Sequence, residues 1–166
     1  MQSDANVKAP PQVAPVDEHG RRPALSVVIP TYEPDHFLLD TLGSVLSQDL
    51  GPAQMQIAIV DDRSERADIR ALLAGIASAH RIEYHEHAER LGLAGNWNRA
   101  IGHARGDFVH ILHQDDTVHP GFYSALLAGL RTSARVGMAF CRHTFIDERN
   151  AVERTSHRER WRSGVL

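Results

Sequence analysis

Lysine is almost missing from this sequence: of its 18 basic residues only Lys8 is a lysine, and the rest are arginines. A phosphate-binding P-loop needs Gly-Lys-Ser/Thr, and Schiff-base chemistry needs a pocket lysine, so both are excluded. Cysteine is as scarce. Cys141 stands alone, so no disulfide framework can form within the chain. Its place in the apolar run 136–141 predicts a buried core thiol rather than a nucleophile. No apolar run approaches the ~20 residues that span a bilayer, and residues 1–23 lack the apolar stretch of a secretory signal. These absences predict a cytoplasmic protein, free to sit peripherally at the inner face of the membrane. No sign of charge dominates either. The net charge of -3 gives no reason to expect wholesale nucleic-acid binding.

What is present suits a soluble domain with a core: 166 residues, 42% of them hydrophobic. Residues 1–23 carry Pro10, Pro11, Pro15 and Pro23 but few large apolar side chains, which predicts a disordered arm. From residue 24 onward the pattern alternates. Leu25-Ser26-Val27-Val28-Ile29 and Ile57-Ala58-Ile59-Val60 read as strands buried on both faces. Residues 81–85 form a weaker strand, 108–112 a further one, and 136–141 the last. Between them, apolar residues recur at helical spacing, as in Leu38, Leu42 and Val45, with Asp35 and Ser64 as candidate caps and Pro120 in a first turn. Strand alternating with helix predicts βαβ units: an α/β fold with a mainly parallel, twisted sheet and helices on both faces. We place the domain at 24–150 and a polar tail at 151–166.

Ligands of open α/β sheets bind beyond the carboxyl ends of the strands. Three polar clusters fall there: Pro30-Thr31-Tyr32-Glu33, Asp61-Asp62-Arg63-Ser64 and His113-Gln114-Asp115-Asp116. One Asp-Asp pair alone usually caps a helix or shapes a turn. Two pairs on one edge repel unless a cation neutralises them. Carboxylate oxygens suit Mg²⁺ or Mn²⁺, which one or two carboxylates hold together with substrate phosphates.

The wording of these segments carries a resemblance. Leu25-Ser-Val-Val-Ile-Pro-Thr-Tyr32, Val60-Asp-Asp-Arg-Ser64, Gly92-Leu-Ala-Gly-Asn-Trp-Asn-Arg-Ala-Ile101 and Ala104-Arg-Gly-Asp-Phe-Val-His-Ile-Leu-His-Gln-Asp-Asp116, in that order, resemble family-2 glycosyltransferases of the GT-A, Rossmann-like fold. Phe145-Ile-Asp-Glu-Arg-Asn150 is similar to the family's segment after its fifth strand. The resemblance implies transfer of a sugar from a nucleoside-diphosphate sugar, UDP-type favoured, to an acceptor hydroxyl, as in polysaccharide biosynthesis. Inversion and Mg²⁺ or Mn²⁺ dependence come with it. It implies that Pro30, Thr31, Tyr32 and Glu33 lie along the nucleotide. Asp62 would accept from the base, Asp115 would approach the ribose, Asn98 and Arg99 would meet nucleotide or diphosphate, and Asp116 would ligate the metal. The acceptor would be a glycan or a lipid-linked one.

The family often has Asp where this chain has His113, which either takes over a ribose contact or simply ends a strand. Family members continue well beyond the metal motif, and their base and acceptor surface come from that later part. No base is therefore assigned, and the chain reads as truncated at the acceptor part, with a non-catalytic nucleotide-sugar-binding module as the alternative. Three other classes fit less well. Val27 to Glu33 lacks the glycine-rich loop of a nucleotidyltransferase. A phosphorylated receiver domain needs a lysine near its acids. Zinc has no His-Glu-x-x-His or Cys-x-x-Cys spacing despite 11 histidines. Trp97 and Phe122 fall on apolar helix faces and read as core.

Overall fold

A computed structural model describes residues 21–76 and 81–156. The predicted arm, apart from residues 21–23, and the end of the polar tail lie outside them. Two units are described separately, one up to Pro120 and one from Gly121.

The first unit holds β1 (Leu25–Thr31), α1 (Phe37–Leu46), β2 (Met55–Asp61), α2 (Ile69–Ala74), β3 (Ile82–Glu86), α3 (Gly92–His103) and β4 (Phe108–Ile111). The four strands form one sheet in the order β3-β2-β1-β4, and every pairing is parallel. The GT-A-like α/β expectation holds in this sheet. Every residue of β1 and β2 is buried, which is why both segments read as nearly continuous apolar runs. Side chains alternate across the sheet. Val28, Ala58 and Val60 form one cluster with Ala100 of α3. Val27, Ile29, Ile57 and Ile59 point to the opposite face and are equally excluded from water, as are Leu38, Leu42 and Val45 of α1.

Ser26 is a buried polar residue near the start of β1, and its surroundings explain it. Its hydroxyl donates to Gln56 Oε1 at 2.6 Å and accepts the backbone N–H groups of Arg105 and Gly106 at 3.0 and 2.7 Å. The turn from α3 into β4 is thereby bolted onto β1. Gly106 is required there, because a Cβ would stand 2.5 Å from Ser26 N and 2.6 Å from the Leu25 carbonyl carbon.

Helix starts differ in part from the sequence reading. Asp35 does accept Phe37 N–H at 2.9 Å at the start of α1. Ser64 does not cap α2; Asp68 does, accepting from Ala71 N–H. Ser64 precedes α2 by more than a turn; its hydroxyl donates to Asp61 at 2.6 Å and accepts Glu33 N–H at 2.8 Å.

The second unit holds α4 (Phe122–Leu130), β5 (Thr144–Ile146) and β6 (Val152–Thr155). Tyr123, Leu127 and Leu130 of α4 are buried. β5 and β6 pair antiparallel. Their turn is built by Asp147, whose Oδ1 accepts the N–H groups of Arg149 and Ala151 at 2.9 and 2.8 Å, with Asn150 at a φ of 61°. The strand expected at 136–141 is absent. Those residues are irregular, Met138 and Phe140 are 74% and 66% exposed, and Cys141 is exposed rather than buried. Apolarity alone does not make a strand: its backbone must also join a ladder, and residues 136–141 lie in none of the described strands. β6, in turn, lies in the stretch read as a featureless tail.

Candidate functional site

Between β1 and β4 the strand order reverses direction in sequence, which is the topological switch point where open α/β sheets bind ligands. A cavity of about 310 Å³ opens there. Pro30, Thr31 and Tyr32 line it after β1, Asp62 after β2, and His113, Gln114 and Asp115 after β4. Arg90, Gly92, Leu93, Asn96 and Trp97 complete the wall. Three sequence-distant clusters thus meet in one hollow.

The two acids at the end of β2 diverge because successive residues of an extended chain face opposite ways. The Asp61 carboxylate accepts from Ser64 N–H at 3.1 Å, Ser64 Oγ–H at 2.6 Å and the Tyr84 hydroxyl at 3.2 Å. It is 1% exposed and does not line the cavity. Burial, and next the charge of Asp61, push the Tyr84 phenol up from its ordinary value. Asp62, 2% exposed, receives Leu91 N–H on Oδ1 at 2.6 Å and Gly92 N–H on Oδ2 at 2.8 Å. A carboxylate there meets the unsatisfied N–H groups and positive end of α3.

Beneath the cavity runs a polar brace. The Thr31 carbonyl accepts Asp62 N–H at 2.8 Å and the Asn96 side-chain amide at 3.1 Å. With its amide nitrogen donating to Thr31, Asn96 turns Oδ1 toward His87 Nε2, 3.1 Å away, so that nitrogen of His87 carries the proton. His87 N–H donates to the Asp61 carbonyl at 3.0 Å.

Above the brace the walls are aromatic and cationic. The Arg90 guanidinium lies 4.0 Å from the centre of the Tyr32 ring. Trp97 meets His113 with ring centres 5.0 Å apart. Trp97 therefore borders the cavity rather than filling the core. The sequence missed Arg90, Asn96 and Trp97 as site residues. For Trp97 the signal was misleading, since the α3 face that reaches the cavity continues the apolar stripe.

The remaining expected site residues lie outside the lining. Glu33 has a φ of 43°, and its carboxylate accepts the N–H groups of Glu65, Arg66 and Ala67 at 2.9 to 3.3 Å. The Glu65 N–H foremost, helped by Arg66 and Ala67, holds that carboxyl below its ordinary value. Asn98 and Arg99 are exposed and do not line the cavity. Asp116 is exposed, next to Asp115, with its N–H on the His113 carbonyl at 3.3 Å.

Among the described residues no group of three or more His, Cys, Asp and Glu could hold an ion alone. Asp115 and Asp116, exposed and adjacent, suit a Mg²⁺ or Mn²⁺ ion whose shell is completed by phosphate oxygens. Among the described residues, no helix is long and apolar enough to cross a membrane.

Comparison with known proteins gives consistent findings. The family model described as glycosyl transferase family 2 matches residues 26–165. An uncharacterized protein, MT1568, of Mycobacterium tuberculosis (strain CDC 1551 / Oshkosh) is 32% identical over 119 residues, covering 72% of this chain and 36% of its own. The GalNAc(5)-diNAcBac-PP-undecaprenol beta-1,3-glucosyltransferase of Campylobacter jejuni is 30% identical over 107 residues, covering 63% and 34%. Among solved structures, residues 1–349 of S. aureus TarS share the fold at a TM-score of 0.58 and 22% identity, over 64% of this chain and 32% of that one. The mannosyltransferase PcManGT of Pyrobaculum calidifontis, in complex with GDP-Man and Mn²⁺, aligns at a TM-score of 0.51 and 28% identity, over 66% and 32%. The chain spans about a third of the length of each of these proteins.

Proposed function

This chain belongs to glycosyl transferase family 2, and on that premise we propose that it is the donor-binding domain of an enzyme that transfers a sugar from a nucleoside-diphosphate sugar to an acceptor hydroxyl. One observation carries the reading: Tyr32, Asp62 and Asp115, from three strand ends, line one cavity at the β1/β4 switch point.

Asp62 is the acceptor for a base N–H. Each carboxylate oxygen has two lone-pair sites, and the backbone of α3 uses one on each. One acceptor site on each oxygen is left for a uracil-type imide, and the fixed carboxylate loses no entropy in binding it. Pro30, Thr31 and Tyr32 run along the nucleotide, and Asp115 approaches the ribose hydroxyls. Asp116 ligates the divalent ion. When bound, Mg²⁺ or Mn²⁺ neutralises charge on the departing diphosphate. Glu33 shapes the Tyr32 loop from outside, and Asn98 and Arg99 have no part in this reading. We assign no base; inversion at the anomeric carbon is carried by the family resemblance. The C. jejuni relative, named as acting on an undecaprenol-linked glycan, supports a glycan or lipid-linked acceptor, and PcManGT, solved with GDP-Man and Mn²⁺, supports the ion.

A thermal-shift panel of nucleoside diphosphates and their sugars, with and without Mn²⁺, tests the reading, because a ligand of the folded state raises the melting point. A metal-dependent rise with UDP is expected. No rise with any nucleotide would sink it. Donor hydrolysis or transfer then separates an enzyme from a module that binds without turnover.

A further inference from the structure

We propose that Gln114 is a positioning residue: its side-chain amide stands in for the missing β4 backbone beside Tyr32 and sets the span of the nucleotide cleft. The inference rests on the donor-binding reading above.

β1 and β4 pair in register from Leu25↔Phe108 to Val28↔Ile111, and at the far end one further bond follows, from Leu112 N–H to the Val28 carbonyl at 3.0 Å. β1 continues beside β2 as far as Thr31↔Asp61. Past Val28 its β4-facing edge therefore loses its strand partner. Had the ladder run on in register, the backbone of Gln114 would lie beside Thr31. Instead the strands part, and the Gln114 side chain reaches across. Its Oε1 accepts Tyr32 N–H at 2.9 Å, and its Nε2 donates to the Tyr32 carbonyl at 3.3 Å. Both backbone groups of one residue are met by one primary amide, the pattern a neighbouring strand would offer.

The far side of each loop is fixed as well. The Gln114 carbonyl accepts the Thr41 hydroxyl of α1 at 2.9 Å. Next to Tyr32, Glu33 N–H donates to Ser64 Oγ at 2.8 Å. Gln114 is thus the tie between the Tyr32 loop, which meets the nucleotide, and the Asp115–Asp116 pair, which meets ribose and ion. Only a group with both an acceptor and a donor at that reach can bridge both Tyr32 atoms. Glutamate ionised at neutral pH lacks the donor and faces a carbonyl oxygen.

The test measures the affinity of the full chain for UDP with Mn²⁺ in wild type, Gln114→Glu and Gln114→Met, alongside melting temperatures. Both variants are expected to bind about tenfold more weakly at neutral pH and well below their melting points, the loss of one or two hydrogen bonds. A purely structural glutamine would lower the melting point and leave the affinity of the still-folded chain at the wild-type value. Wild-type affinity in both variants overturns the proposal. If Gln114→Glu fails to fold, unchanged affinity in Gln114→Met overturns it alone. Failure of wild type itself to bind UDP is a different result, and it removes the donor-binding reading together with this one.

Discussion

The carboxylate of Asp62 lies across the first turn of α3, and Gly92 N–H donates to its Oδ2 at 2.8 Å while Leu91 N–H donates to Oδ1 at 2.6 Å. One buried acid therefore holds a helix in place and faces the candidate nucleotide cavity. Structural and binding roles meet in the same two oxygens, and substitution there should show both.

Asp62→Ala is expected to leave two N–H groups at the start of α3 without their acceptor and to cost roughly 1–3 kcal/mol of stability. It should also weaken uridine binding more than binding of a bare diphosphate. Chemical denaturation and titration calorimetry check the two halves; equal losses for both ligands would remove Asp62 from the base pocket.

Asp116 is exposed, so its loss should hardly touch the fold, within about 0.5 kcal/mol. Asp116→Ala is nonetheless expected to abolish Mn²⁺-dependent binding of a nucleoside diphosphate. Nucleotide affinity measured with and without the ion decides, and an intact metal dependence refutes the assignment.

Gly106→Ala sets a methyl group against backbone atoms of β1, 2.5 Å from Ser26 N. Backbone in a fully buried strand cannot yield cheaply, so a loss of roughly 2–4 kcal/mol is expected. A melting temperature within a degree of wild type would show that the turn into β4 is looser than its hydrogen bonds imply.

Glu83 accepts from Arg105 Nη1 at 2.8 Å and from Gln56 Nε2 at 3.0 Å. Arg105 first, and Gln56 after it, hold the Glu83 carboxyl below its ordinary value of 4.5. A depressed carboxyl stabilises the fold above its unfolded pKa and loses that contribution as pH falls through the folded one. Glu83→Gln should thus lower the melting temperature by a few degrees at neutral pH. The gap to wild type should close as the pH drops below about 4. A gap of constant size across that range would show that charge plays no part.

Much of the first unit was legible because its physics is local and repetitive. Strands buried on both faces are mostly apolar, so β1 and β2 announced themselves. Alternation with helices then fixed parallel pairing and brought the strand-end clusters to one edge. Elsewhere, local signals competed. Ser64 had the right chemistry for a helix cap, but α2 starts only at Ile69, and the Ser64 oxygen accepts Glu33 N–H instead. The run 136–141 had strand composition yet lies in none of the described strands, and Cys141 is exposed.

By itself the sequence determined the parallel α/β sheet, the edge that bears the chemistry and the family, because periodicity, burial on both faces and motif order are written in residue types. Tertiary structure alone decided what each polar group has to spend. Of four acids that looked alike, Asp61 is occupied by Ser64 and Tyr84, Asp62 is shared between α3 and the cavity, Asp115 lines the cavity, and Asp116 stays exposed beside it. Hydrogen bonds between residues distant in sequence set that division, and they depend on angles and distances that no spacing along the chain encodes.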